Sequence, residues 1–181
     1  MTTLLPLRAI AACIALAAIS LSAGDTFVRI DQEGGSRLNE TLWKAEWGSY
    51  QKAKEEVRSF SARIRNNTKS TRTYVLEWYF IADNPLSKER SVASWGTLVK
   101  ELAPGEEAEY CIVSDKIVGI DENYKALGER YYTGGRYDGY LVTVREGDKY
   151  IKKTTSKGSS SQFLKRAMAL AREVNPNIPK D

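Results

Sequence analysis

The chain has 181 residues, a formal net charge of +4, no histidine and two cysteines. Lacking histidine, it has no Ser-His-Asp or Cys-His nucleophile system and no His-bearing zinc site, and its cysteines are too few for a Cys-only metal site. Charges of both signs are interspersed, as in Lys52-Ala53-Lys54-Glu55-Glu56 and Lys88-Glu89-Arg90, a pattern of solvated faces rather than of a patch that tracks nucleic acid.

The first residues, Met1 to Arg8, carry one positive charge. An apolar run from Ala9 to Leu21 follows and ends in Ser22-Ala23-Gly24. This order predicts a secretory signal peptide over residues 1–23, cleaved near Ala23. The run is short of the ~20 apolar residues that a membrane span needs. The expectation is therefore an exported protein (periplasm, outer membrane surface or extracellular) with no membrane span after cleavage. What remains is one domain of ordinary size, large enough for a hydrophobic core. Cys13 leaves with the signal, so Cys111 has no partner for an intramolecular disulfide. Its setting, Tyr110-Cys111-Ile112-Val113, predicts a buried thiol.

Residues 24–42 read as an N-terminal edge strand and a connecting segment. Phe27, Val28 and Ile30 supply the strand, and Gly34-Gly35-Ser36 breaks it. Trp43, Ala45 and Trp47 alternate, which predicts a strand over 43–50, while Asn39 followed by Leu42, Glu46 and Tyr50 also fits a capped helix. Phe60, Ala62 and Ile64 alternate with Ser61, Arg63 and Arg65, a half-buried strand with a basic outer face. Asn66-Asn67-Thr68-Lys69-Ser70 is a turn by composition. Arg72 to Ala82 then places Tyr74, Leu76, Trp78, Phe80 and Ala82 on one side and Thr73, Val75, Glu77, Tyr79 and Ile81 on the other. Both sides are mostly apolar, so this strand belongs in the middle of its sheet, covered above and below. The short turn before it predicts an antiparallel pair between 59–66 and 72–82.

Asp83 to Ser87 closes the central strand, and Val92 to Leu102 is the next one. Ala103-Pro104-Gly105-Glu106 is a tight turn, and Glu107 to Val113 resumes strand. Ser114 to Arg136 lacks clear periodicity and predicts a short helix or a functional loop. Gly139 to Val144 is a strand, joined through Glu146-Gly147-Asp148 to another over Lys149–Thr155. Ser160 or Ser161 caps a helix whose apolar side is Phe163, Leu164, Ala167, Leu170, Ala171 and Val174, and Asn175-Pro176 ends it. The fold class is mainly β: an Ig-like antiparallel β-sandwich over residues 43–175 with a C-terminal amphipathic helix, then a tail over 176–181.

Two local patterns carry a resemblance. Leu102-Ala103-Pro104-Gly105 resembles the Leu-x-Pro-Gly corner of fibronectin type III domains, and Tyr140-Leu141-Val142-Thr143-Val144 resembles their Tyr-x-Val-x-Val strand, with Tyr140 as the corner tyrosine. The order is also similar to a group of small secreted Ig-like proteins of Gram-negative bacteria. It runs Trp47 to Tyr50, Arg65-Asn66, Glu77-Trp78-Tyr79-Phe80, the Pro-Gly turn, Asp138-Gly139-Tyr140 and the helix. One protein of that group is linked to a type IV pilus gene cluster. The resemblance implies the sandwich fold and a role at the cell envelope, and carries over no catalytic residues.

The candidate binding residues are Arg130, Tyr131, Tyr132, Arg136 and Tyr137, in Arg130-Tyr131-Tyr132-Thr133-Gly134-Gly135-Arg136-Tyr137. Tyrosine supplies rigid contact area with a polar tip, glycine lets a loop adapt, and arginine recurs at interface hot spots. These residues point to an envelope or surface protein as partner, or to a carbohydrate stacked on three exposed, coplanar tyrosines. For an enzyme, only paired carboxylates remain: Glu106, Glu107 and Glu109, or Asp121 and Glu122. Acidic residues at turns are more often plain surface. Asp121, Glu122 and Asn123 lack the glycine-punctuated pattern of a calcium loop. The reading is a non-enzymatic domain with no catalytic residue, metal or cofactor. The sequons Asn39-Glu40-Thr41 and Asn66-Asn67-Thr68 read as chance.

Overall fold

The computed structural model describes residues 26–44, 49–125, 127–158 and 161–179. The signal-peptide reading of residues 1–23, Trp47 and the Ser160 cap lie outside them. Among the described residues, nine strands form two antiparallel sheets, followed by one helix, and no helix is long and apolar enough to cross a membrane.

Sheet A holds β1 (Phe27–Lys44), β2 (Tyr50–Arg65), β6 (Ile117–Tyr124) and β7 (Glu129–Gly134) in that order, with β5 (Glu107–Val113) also paired to β2. Sheet B runs β4 (Arg90–Leu102), β3 (Arg72–Asp83), β8 (Arg136–Glu146), β9 (Lys149–Thr155). The helix α1 (Ser161–Val174) lies on the outer face of sheet B.

The central strand behaves as its sequence predicts. In β3, Tyr74, Leu76 and Phe80 enter the core between the sheets with Phe60, Ala62, Ile64, Ile112, Tyr140, Val142 and Val144. On its other side, Tyr79 and Ile81 pack with Leu141 under Phe163, Ala167, Met168 and Ala171 of α1. The helix thus covers apolar area that an open sandwich would leave to water, at roughly 25 cal/mol per Å² buried. Ile178, beyond the helix, packs into the same cluster.

Several expectations are corrected. β2 and β3 do not pair; they lie in opposite sheets and face each other across the core. Each has an apolar side that must be buried, and stacking the two sheets buries both. The chain between them turns on Asn66 instead of making a hairpin. The stretch 43–50 is not one strand, because Lys44 ends β1 and pairs with Tyr50 at the start of β2. Gly34-Gly35 does not break β1. Residues before and after the pair stay on β2, with register shifts at Gln32/Gly34 and Arg37/Asn39 absorbing the irregularity. Within 114–136, where a short helix or a loop is expected, β6 and β7 pair antiparallel and Arg136 opens β8. Cys111 is exposed, since it alternates onto the outer face of β5 with Glu109 while Tyr110 and Ile112 point inward.

The turns follow their residues. Pro104 and Gly105 occupy the middle of a type II turn, closed by Glu106 N donating to Ala103 O at 3.0 Å, with Gly105 at φ 78°. Asn66 is fully buried. Its side-chain amide donates to Ser70 O and Leu102 O, at 2.8 and 2.9 Å, so the sequon there is closed to a glycan.

Under the end of α1, Asn175 donates to the Tyr79 hydroxyl at 3.1 Å and to Glu77 at 3.3 Å. Burial pushes the Tyr79 phenol up to about 12. Because the folded value is raised, the stability it contributes is complete below the unfolded value of ~10 and is lost as pH climbs toward 12. A Tyr79→Phe variant is expected to lose less stability between pH 9 and pH 12 than the parent, as read by urea unfolding at stepped pH. Equal slopes for the two proteins would refute this.

Candidate functional site

β2 is a regular strand, so its even-numbered side chains all share one face. Toward its C-terminal end, that face is core: Phe60, Ala62 and Ile64. Toward its N-terminal end, the same face carries Tyr50, Lys52, Lys54, Glu56 and Arg58. The change occurs where the Arg58 guanidinium lies 4.6 Å over the Tyr137 ring and Glu56 accepts from Tyr137 N. Past this seal, the cross-strand register brings Gly119 and Asp121 of β6 beside Lys54 and Lys52, and Tyr132 of β7 beside Asp121.

The result is a groove of about 500 Å³ lined by Leu42, Tyr50, Lys52, Lys54, Pro85, Gly119, Asp121, Arg130, Tyr132 and Arg136. It continues into a hollow of about 180 Å³ that shares Lys54, Tyr132 and Arg136 and adds Glu56, Arg58, Gly135 and Tyr137. Among the described residues, the main groove therefore sets the cations Lys52, Lys54, Arg130 and Arg136 around one lining carboxylate, that of Asp121.

The arginines are held in place. Arg130 makes two bonds to Asp121, at 2.9 and 2.8 Å, and Arg136 makes two to Asp83, at 3.2 and 3.0 Å. Each pairing raises the guanidinium pKa, chiefly through the hydrogen bond. The Arg130 bond, helped by Lys54 and Lys52, holds the Asp121 carboxyl below its usual range. Lys52 pairs with Glu40. Tyr132 stands over Gly119, where an added Cβ would meet the phenol oxygen at 2.1 Å, and partial burial raises its pKa. Asn84 donates to Tyr132 O at 2.9 Å and so seals part of the edge of β7. Side chains held this way lose little freedom when a ligand binds.

Of the five residues expected to act together, Arg130, Tyr132 and Arg136 line the groove, and Tyr137 lines the adjoining hollow. Tyr131 is on the opposite face of β7, 48% exposed, donating to Glu129 at 2.6 Å and edge-on to Tyr124. Tyr137 packs against the sandwich core. The three tyrosines thus do not form one flat platform, because consecutive residues of a strand point to opposite faces. Tyr50, Lys52 and Lys54 also line the groove, and their signal in the sequence is the polar continuation of the Phe60-Ala62-Ile64 alternation; Asp121, which the sequence offers beside Glu122, joins them through the β2–β6 register. Asp121 and Glu122 face opposite ways, the former bound to Arg130 and the latter to Gln51 at 2.5 Å. Glu107 and Glu109 pair with Arg63, and Glu106 accepts from Ala103 N.

No protein-family model matches the chain, and no curated protein matches it. Among solved structures, a β-glucosidase, DesR from Streptomyces venezuelae, is 13% identical over 71% of this chain, with a TM-score of 0.29. The match takes in only 15% of that enzyme. A protein from Akkermansia muciniphila is 14% identical over 75% of this chain and 73% of its own, with a TM-score of 0.24. Likenesses this slight carry no argument about activity.

Proposed function

We propose that this chain is an exported, non-enzymatic, Ig-like binding domain that makes protein–protein contacts at the cell envelope, as surface adhesion or pilus-related assembly requires. The strand orders β4-β3-β8-β9 and β1-β2-β5 support the Ig-like reading, being those of the C′CFG and ABE sheets of such domains. The observation that carries the binding role is the groove. Among the described residues its four cations outnumber the three carboxylates that pair with them, Asp121, Asp83 and Glu40; its arginines are fixed by the first two, and Tyr50 and Tyr132 offer rigid contact area. A segment of a partner rich in Asp and Glu is its natural occupant. Binding of an acidic polysaccharide is the second reading, favoured by the two tyrosines within a basic groove.

The test is affinity capture from detergent-solubilised envelope with residues 24–181, beside a Lys54→Glu/Tyr132→Ala variant. Both positions lie outside the core, so folding is retained. The expected result is one enriched protein whose capture falls about tenfold or more in the variant, the scale of a hot-spot loss. Enrichment of polysaccharide instead would favour the second reading. Equal capture by both proteins would move the site away from the groove.

A further inference from the structure

We propose that two copies of this chain associate edge to edge through β4, antiparallel about a two-fold axis at Thr97. An edge strand exposes unpaired backbone donors and acceptors, and proteins usually blunt such edges with charge, bulges, brevity or a covering segment. The other edges here are blunted. β1 has two register shifts and carries Arg29, Asp31 and Glu40. β5 is short and carries Glu107 and Glu109; β9 carries Lys149, Lys152 and Lys153. β7 is shorter still, and Asn84 occupies the Tyr132 carbonyl. β4 differs. It ends sheet B, pairs only with β3 among the described residues, and has no charged residue from Ser91 to Val99.

The register of β4 against β3 skips Ala93, which places a bulge there and leaves Ser94 to Leu102 regular. Along that run, Trp95, Thr97 and Val99 share the outer face; Trp95 is 44% exposed and Val99 63% exposed. Two-fold antiparallel pairing sets same-face residues opposite one another, so its axis must pass through a residue. An axis at Thr97 sets Trp95 of each copy against Val99 of the other, an aromatic–β-branched pair made twice. It sets Gly96 against Leu98 and Ser94 against Lys100, with no like charges opposed, and stays clear of the bulge. An axis at Leu98 would set Trp95 against the Glu101 carboxylate, and one at Gly96 would run into Ala93. The strand is therefore complementary to itself, which makes a second copy the fitting occupant. Joined this way, the two B sheets form one continuous sheet, while the groove, which β4 does not line among the described residues, is not used.

Sedimentation velocity over a range of concentrations tests this on residues 24–181, which contain the whole described fold. The expected result is a reversible dimer. Thr97→Lys, at an exposed position, would oppose two ammonium groups across the axis and weaken dimerisation at least tenfold, with an unchanged circular dichroism spectrum. In a Cys111→Ser background, Thr97→Cys would cross-link between chains with a short bifunctional thiol reagent, and Thr73→Cys on β3 would not. A monomer at every concentration overturns the proposal. So does a dimer that Thr97→Lys leaves intact or that Thr97→Cys fails to cross-link.

Discussion

Replacing Asn66 by alanine is expected to remove about 4 kcal/mol of folding stability, because several buried polar groups lose their partners at once. Asn66 is fully buried at the point where the chain passes from sheet A to sheet B. Its side-chain amide donates to Ser70 O and to Leu102 O, and its carbonyl accepts from Thr68 N at 3.0 Å and from the Thr68 hydroxyl at 2.6 Å. Its backbone accepts from Gly105 N and donates to Glu106 O. One side chain thus joins the end of β4 to the segment that enters β3, while its backbone holds the turn that leads to β5. Alanine preserves the backbone bonds but takes the amide donor away from the Leu102 carbonyl in a buried site. Asn66→Asp separates the electrostatic from the steric part. A carboxylate would face two carbonyl oxygens, so the folded state would favour its protonated form. The folded value would then lie above the unfolded one, and the deficit of the aspartate variant would be largest near neutrality and shrink as pH falls toward the carboxylate range. Urea unfolding at pH 7 and at pH 4 reads both effects. A loss under about 1 kcal/mol for Asn66→Ala would mean that water replaces the amide, and would refute this account.

The second large effect is expected at Arg145→Met, about 3 kcal/mol, the scale of breaking a buried ion pair from one side. Glu77 is 2% exposed beneath the end of α1. Its carboxylate accepts from Thr143 at 3.0 Å and from Asn175 at 3.3 Å, and the Arg145 guanidinium is the cation at 3.4 Å. Without Arg145, a carboxylate remains in a nearly dry site with neutral donors alone. Glu77→Leu/Arg145→Met removes both charges and is expected to recover much of the loss, since matched apolar groups replace a buried pair at little cost. The coupling in the double-mutant cycle should be about 2 kcal/mol. Because Asn175 reaches from the helix end to Glu77 and Tyr79, amide exchange in α1 should quicken more than exchange in β8 when Glu77 alone is lost. Additive single-site effects would place the energy in packing rather than in the pair.

Local chemistry was legible wherever it acts within a few residues or along one strand. Pro104-Gly105 set a type II turn, Glu146-Gly147-Asp148 made a hairpin, and Phe163 to Ala171 made a helix with one apolar side. The doubled apolar pattern of β3 foretold a central strand covered on both faces, and the structure supplies sheet A on one and α1 on the other. The lining of the groove was legible in part. Arg130, Tyr132 and Arg136 line the groove, while alternation turns Tyr131 outward and the core takes Tyr137.

What tertiary structure alone decided was which surfaces meet. A turn of five polar residues is compatible with a hairpin or with a passage between sheets. In the passage, Phe60, Ala62 and Ile64 face Tyr74, Leu76 and Phe80 across the core, and Asn66 bonds to the segment entering β3, to the end of β4 and to the turn before β5. Cys111 reads as apolar among its neighbours in sequence, yet alternation puts it outside. Lys52 and Lys54 read as ordinary surface, yet the register of β2 with β6 and β7 gathers them with Arg130 around Asp121. Spacing along the chain determines the face a side chain takes on its own strand; which face another strand presents to it depends on long-range pairing, and that is set by the burial of the whole core.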